Sequence, residues 1–175
     1  MAKCIKYLFI LILITGCNPS VNLHSNFVVD SSFTAEQQNE IVESVSEWES
    51  VTDGMIKLNL VFSNQPEMYG NDYNKILNII DESNYLNTDA LGKTNVVASV
   101  IRILILSNRI ERSQFLFKEV VLHELGHSFG LPHQKSGLMN PSVHGQTCID
   151  NSTLDEFCNL HNCNDYEIKS SCINY

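Results

Sequence analysis

The sequence predicts a single domain of mixed helices and strands, of the α+β or α/β class. Apolar side chains recur at helical spacing in residues 35–51, and Thr34 with Gln37 fits a capping box at the start of that helix. Residues 55–62 alternate between apolar and polar side chains, which predicts a half-buried strand. The predicted inner face of the helix consists of Ile41, Val45 and Trp48.

The second half of the chain adds further strands and a second helix. Residues 76–80 are β-prone, and residues 81–95 are predicted to form a polar loop. The apolar, β-branched run 96–106 is long enough for two strands, although no break between them is visible. Ser113 then fits the cap of a helix that starts near Gln114.

The charge balance excludes one class of partner. The 175 residues include 11 Lys and Arg against 20 Asp and Glu, which gives a net charge of −9. Binding to the nucleic-acid backbone depends on clustered cations, so no nucleic-acid partner is expected. An apolar content of 43% is typical of a globular chain with a real core.

The first residues are typical of an export signal. Lys3 and Lys6 precede an apolar run over 7–14, which is too short to span a bilayer as a helix. The run ends in Ile-Thr-Gly-Cys at 14–17, which resembles a bacterial lipobox. The resemblance implies removal of residues 1–16 and a lipid on Cys17, whereas the alternative is an ordinary signal peptide.

Three regions follow from this interpretation. Residues 1–16 are the signal peptide, 17–26 a polar tether, and 27–175 one domain with a short first strand at 27–29. We therefore expect an exported protein of the bacterial cell envelope, attached to the membrane through its N-terminal lipid.

The cysteines of the last 28 residues predict a cross-linked tail. An even number of cysteines in an exported chain favours disulfides, here two, and four cysteines allow three pairings. A second metal site is the less favoured alternative, because no C-x-x-C pair occurs. The four residues are Cys148, Cys158, Cys163 and Cys172.

The second helix carries a metal-binding pattern. His123 and His127 are four residues apart, so both imidazoles project from one helical face towards one ion. Glu124 lies beside them, where it can reach a water molecule on that ion. Gly130 permits a sharp turn after the helix, and His133 can then return as a third ligand.

The whole stretch reads H-E-L-G-H-S-F-G-L-P-H, and Met139 follows six residues later. This pattern resembles the metzincin clan of zinc endopeptidases, with its three-histidine site and Met-turn. The order of elements is similar to that of a matrixin catalytic domain. The resemblance implies a twisted, mostly parallel sheet with an antiparallel edge strand within 92–100, an active-site helix, a Met-turn and a C-terminal helix.

The resemblance also implies roles for single residues. His123, His127 and His133 would bind Zn²⁺, and Glu124 would act as general base. Met139 would form a hydrophobic floor, and residues 140–147 one wall of the S1′ pocket. One departure is Gln134, where matrixins usually have Ser.

Two functions remain open from the sequence. The first is a zinc-dependent endopeptidase acting on a protein or peptide substrate. The alternative is a lipid-anchored, non-catalytic binding domain that keeps zinc only as a structural element. Structural zinc sites normally have a fourth protein ligand, and none closely follows His133, which favours the enzyme. A metal-dependent hydrolase with another substrate class is also compatible with the motif.

Overall fold

A five-stranded sheet with the order β2-β1-β3-β5-β4 forms the centre of the molecule. This computed structural model describes residues 23–65, 75–79, 90–97, 100–111, 116–142 and 144–172. The predicted signal peptide, Cys17 and the predicted cap Ser113 lie outside these ranges. The strands are β1 (His24–Asp30), β2 (Lys57–Ser63), β3 (Lys75–Ile79), β4 (Gly92–Val97) and β5 (Val100–Ile105). The helices are α1 (Ala35–Val51), α2 (Ser107–Glu111), α3 (Phe117–Ser128) and α4 (Asn151–His161).

The sheet is mostly parallel, with one antiparallel pair at its edge. β1 pairs in parallel with β2 and β3, and β3 pairs in parallel with β5. The edge strand β4 runs antiparallel to β5, with Gly92 opposite Ile105. This confirms the coarse α/β class and the mixed sheet, and β4 falls within the range expected for an edge strand.

The core forms where α1, α3 and α4 meet. The predicted inner face of α1 is confirmed, and the side chain of Trp48 is fully buried. Its Nε1 donates a hydrogen bond to the carbonyl oxygen of Leu122, at 3.2 Å. Its ring packs edge-on against Phe129 and tilted against Phe157. One aromatic residue of α1 therefore fixes the position of the helix that carries the metal-binding pattern.

Several predicted boundaries are wrong at their ends. β1 begins at His24, so the assignment of residues 24–26 to the tether is wrong. These residues pair with β2 through backbone hydrogen bonds, which do not depend on the polarity of their side chains. Gly92 to Asn95 belong to β4 rather than to the polar loop. α3 begins at Phe117, after Leu116, which gives it no side-chain cap. α2 was not predicted.

The exposure of two residues also differs from expectation. Phe62 is 39% exposed, although the alternation placed it on the buried face. His161, which a sequence pattern does not distinguish from a surface residue of α4, is half-buried, and its Nε2 lies 2.7 Å from the carbonyl oxygen of Phe129. Both differences depend on which neighbouring element covers the position, which local spacing does not encode.

The C-terminal tail contains the two predicted disulfides. Cys148 is bonded to Cys172, and Cys158 to Cys163. The cap of α4 is Asp150, whose side chain accepts a hydrogen bond from the Thr153 backbone N–H. A carboxylate at this position thus satisfies an otherwise unpaired amide at the start of the helix.

Candidate metal centre

Three imidazole rings converge at the end of α3. His123 and His127 lie one helical turn apart on that helix, and His133 follows it. The ring centroids lie 4.7–5.3 Å from one another. One nitrogen from each ring lies within 4.8 Å of the others, so the cluster could hold a metal ion. All three predicted ligands are therefore brought together.

A left-handed turn returns the chain to the site. Gly130 follows the end of α3 with a φ of +93°, a conformation that favours glycine. The backbone N–H of Leu131 then donates to the carbonyl oxygen of Gly126, at 3.1 Å. The Leu131 carbonyl oxygen in turn lies 2.7 Å from Nδ1 of His127. The turn thus brings His133 back and orients His127 as well.

The carbonyl partners fix which ring nitrogens are available to a metal. Nδ1 of His123 lies 2.8 Å from the carbonyl oxygen of Leu138. A carbonyl oxygen only accepts hydrogen bonds, so Nδ1 of both His123 and His127 must carry the proton. Nε2 of each neutral ring is then left with a free lone pair. This arrangement of a metal-binding histidine and a carbonyl partner is common in metalloproteins.

The electrostatics of the cluster favour neutral rings. Burial is the main reason why the pKa of His123 is lowered to about 4; the hydrogen bond to Leu138 opposes this shift, and the charges of the other two histidines contribute to it. Burial also lowers the pKa of His127. Neutral imidazole is the form that binds metal, so both rings are ready to act as ligands at neutral pH.

Glu124 lies next to the histidines and is in contact with the edge strand. Its side chain is only 5% exposed. The hydroxyl of Thr94 lies 2.6 Å from Oε2 of Glu124 and donates to it. Burial raises the pKa of Glu124 to about 7, although the Thr94 hydrogen bond acts in the opposite direction. A carboxyl group with this pKa can both take and release a proton near neutral pH.

The edge strand also fits closely against Glu124 at a glycine. A Cβ on Gly92 would lie 2.8 Å from Cγ of Glu124, closer than such contacts normally come. Gly92 and Thr94 could not be recognised as site residues from the sequence, because both fell in the predicted loop 81–95. Only the pairing of β4 with β5 brings them to α3.

Met139 packs against α3 at Gly126. Its side chain is fully buried, and a Cβ on Gly126 would lie 2.5 Å from its Sδ. The absence of a side chain at Gly126 therefore lets Met139 approach the helix between the two histidines.

Asp150 connects this turn to α4. Its Oδ2 accepts the Leu138 N–H at 2.8 Å, so the residue whose carbonyl orients His123 is itself held in place. Partial burial opposes ionisation of Asp150, but hydrogen bonds from Ser152, Leu138, Gln146 and Thr153 lower its pKa to about 2. The sequence did not indicate this role.

The donor set fits a zinc ion with an open coordination position. Three neutral imidazoles are a typical catalytic zinc set, whereas structural sites add a fourth protein ligand. Across the part of the chain that the structure describes, the cluster contains the three histidines and no further Cys, Asp or Glu ligand. An ion held by these three residues alone would keep a coordination position for water or substrate.

No protein-family model matches the chain, and no curated protein matches it. Within the described ranges, none of the helices is both long enough and apolar enough to cross a membrane.

Proposed function

We propose that the chain is a zinc-dependent endopeptidase of the metzincin type, similar to a matrixin catalytic domain. The observation that carries the proposal is the convergence of His123, His127 and His133 beside a buried Glu124. The antiparallel edge strand β4 and the buried Met139 also agree with that family's layout. The expected substrate is a protein or peptide.

A zinc ion held by the three histidines would lower the pKa of a water molecule and polarise the carbonyl group of the scissile peptide bond. The Glu124 carboxylate takes a proton from the attacking water molecule and delivers it to the leaving amine nitrogen. Thr94 holds Oε2 of Glu124, which fixes the direction in which the carboxylate faces. Among the described strands, β4 is paired on one side alone, and its other edge would offer backbone groups to an extended substrate peptide.

The strongest competitor is a zinc site that serves only to stabilise a binding domain. Two features favour the enzyme. The described residues supply no fourth ligand to the cluster. Glu124 also has no structural partner that requires its charge: its Thr94 bond would be satisfied by a neutral amide oxygen. Burial of a carboxyl group without an ionic partner lowers the stability of the fold. Its presence here therefore favours a role in catalysis.

The decisive experiment separates metal binding from turnover. Glu124→Gln keeps the shape of the side chain but cannot carry a proton between water and amine. We expect it to retain one equivalent of zinc by elemental analysis, while cleavage of a peptide library falls by roughly 10²–10⁴-fold. Glu43→Gln on the exposed face of α1 is the matched control and should cleave like the wild type.

Two outcomes would contradict the proposal. Wild-type protein that holds zinc and cleaves no peptide would support the binding-domain alternative. A Glu124→Gln variant that cleaves at the wild-type rate would exclude the mechanism. His127→Ala should instead lose the metal, and with it the stability that metal binding contributes.

We further propose that the protein is exported and lipid-anchored at Cys17 in the bacterial cell envelope. The lipobox-like sequence supports this, and so do the two disulfides, which are typical of oxidising compartments. Cys17→Ser should shift the protein from the detergent phase to the aqueous phase on phase separation. Identical partitioning and processing of variant and wild type would contradict the anchor.

A further inference from the structure

Glu119 is a buried carboxylate that the proposed chemistry does not use. It lies in the first turn of α3, and only 4% of it is exposed. Its Oε1 accepts the backbone N–H of His144 at 2.8 Å, and its Oε2 accepts the backbone N–H of Gly145 at 2.8 Å. Both oxygens are thus bonded to consecutive amides of a segment that lies 25 residues further along the chain.

The position of Glu119 on α3 places this contact beside the metal centre. Glu119, His123 and His127 are spaced four residues apart, so they share one face of the helix. The backbone of residues 144 and 145 therefore lies beside α3 about one helical turn, or roughly 5.4 Å, before His123. β4 contacts the same helix at Glu124. The edge strand and the segment 144–147, through its first two residues, thus both contact the helix that carries His123 and His127.

Side-chain packing does not explain why the backbone of residues 144 and 145 is held in place. His144 and Gly145 are exposed, and a Cβ on Gly145 would meet nothing within 4 Å. Gly145 also has a φ of +86°, a conformation that directs successive backbone N–H groups towards one anion. The anchors on either side are Met139 at the helix and Gln146, which donates to Asp150. Between these two anchors, the Glu119 carboxylate holds the backbone of residues 144 and 145 through two hydrogen bonds.

The segment carries no Asp, Glu, Lys or Arg. The segment would therefore select a substrate side chain by size and shape rather than by charge. Such selection requires that the backbone of the segment is held in one position. A carboxylate suits this task, because it offers two acceptors and no donor to two adjacent amides.

We propose that Glu119 is a positioning residue that fixes segment 144–147 as a wall of the substrate cleft and thereby sets which uncharged substrate side chain is accepted on that side. This inference rests on the proposed peptidase function. Release of the wall should weaken the discrimination between substrates while the histidines and Glu124 keep their places.

The first test does not depend on activity. Amide hydrogen exchange is measured at residues 144 and 145 in zinc-loaded wild type, Glu119→Gln and the matched control Glu43→Gln. Gln presents one acceptor and one donor to two N–H groups, so we expect faster exchange at these amides in Glu119→Gln alone. Unchanged exchange would overturn the proposal.

The second test measures selectivity on a peptide library varied at the residues flanking the cleaved bond. In Glu119→Gln we expect one equivalent of zinc, a nearly unchanged kcat and a higher KM for the best peptides. The ratio of kcat/KM between best and worst uncharged side chains should fall by about tenfold, the effect of roughly one lost hydrogen bond to a charged group. A wild-type selectivity profile despite faster exchange would overturn the selectivity role.

The remaining outcomes are also decisive. If neither Glu119→Gln nor Glu119→Asp yields folded, zinc-binding protein, Glu119 is structural and the proposal is wrong. If wild type cleaves no peptide, the proposed function fails and the selectivity role with it, while the exchange rates still decide whether Glu119 holds the segment.

Discussion

Lys75 offers a quantitative test of the electrostatics of this fold. It is a strand residue of β3 whose side chain is fully buried. Its Nζ donates to the carbonyl oxygen of Ser128 at 2.7 Å and lies 4.9 Å from the centre of the Phe129 ring. Both contacts favour a cation at the C-terminal end of α3, but neither replaces the water that burial removes. Burial lowers the pKa of Lys75 to about 7.

The lowered pKa makes stability depend on pH in a defined window. The unfolded chain keeps the lysine protonated up to its ordinary pKa of 10.5, whereas the folded chain releases the proton near 7. Between these values the unfolded state binds more protons, so the free energy of unfolding rises with pH. The two pKa values differ by an amount equivalent to about 5 kcal/mol, of which about 2 kcal/mol should be gained between pH 7 and pH 9.

Lys75→Met removes the charge and keeps most of the volume. We expect the variant to be more stable than wild type at pH 6, and this advantage to shrink by about 2 kcal/mol between pH 7 and pH 9. Urea unfolding with a chelator present measures both proteins without any metal contribution. Glu124 and His123 titrate in the folded state at or below about 7, and they are common to both proteins, so their effects cancel in the difference.

The control is an exposed lysine on the neighbouring part of the sheet. Lys57→Met on β2 measures, over the same pH range, how replacement of a solvent-exposed lysine by methionine changes the free energy of unfolding. If the difference between wild type and Lys75→Met is flat from pH 6 to pH 10, the lysine is not desolvated in the fold, and the reasoning is refuted.

Three further predictions concern the site and the tail. Gly92→Ala should lower peptide cleavage but leave zinc content at one equivalent, because its Cβ would lie 2.8 Å from Cγ of Glu124 and force that side chain to move. The Asp150 carboxylate should stabilise the wild type above pH 3.8, and this stabilisation should disappear as the pH falls towards 2. Asp150→Asn lacks it at every pH. In acid unfolding, the free energies of unfolding of the two proteins should therefore differ by on the order of 1 kcal/mol, since solvent partly screens the carboxylate. Replacement of Cys148 and Cys172 by Ser should cost about 2–4 kcal/mol in urea unfolding, and equal midpoints would contradict a stabilising bond.

Features with a local cause could be predicted from the sequence. The bounds of α1 match, because Thr34 and Gln37 form the capping box seen at its start, with both reciprocal bonds made. The three histidines could be predicted for the same reason: helical spacing and one glycine turn place them together without help from distant residues. The motif relates residues that are close together in the chain, and a sequence pattern encodes the geometry of such neighbouring residues.

The partners of those residues could not be predicted, because they come from distant parts of the chain. Thr94 reaches Glu124 only through the pairing of β4 with β5. The contact of Glu119 with the 144–145 backbone likewise depends on the path of the chain after Met139. In a sequence, a buried glutamate that holds a loop has the same appearance as a solvated one on a helix surface.

The connections around Leu138 explain why the metal centre extends to the end of the chain. The Leu138 carbonyl orients His123, while the Leu138 N–H is bonded to Asp150. Gly137 has a φ of +76°, and a Cβ there would lie 2.7 Å from the Asp150 carboxylate, so this turn and the start of α4 fit only without a side chain. The residue before Asp150, Ile149, is in turn fastened to Ser171 by backbone and side-chain hydrogen bonds. Because both contacts are made by the backbone of one residue, Leu138, we expect a displacement of α4 to move the carbonyl that holds the first histidine. The C-terminal tail is therefore part of what sets the geometry of the metal centre.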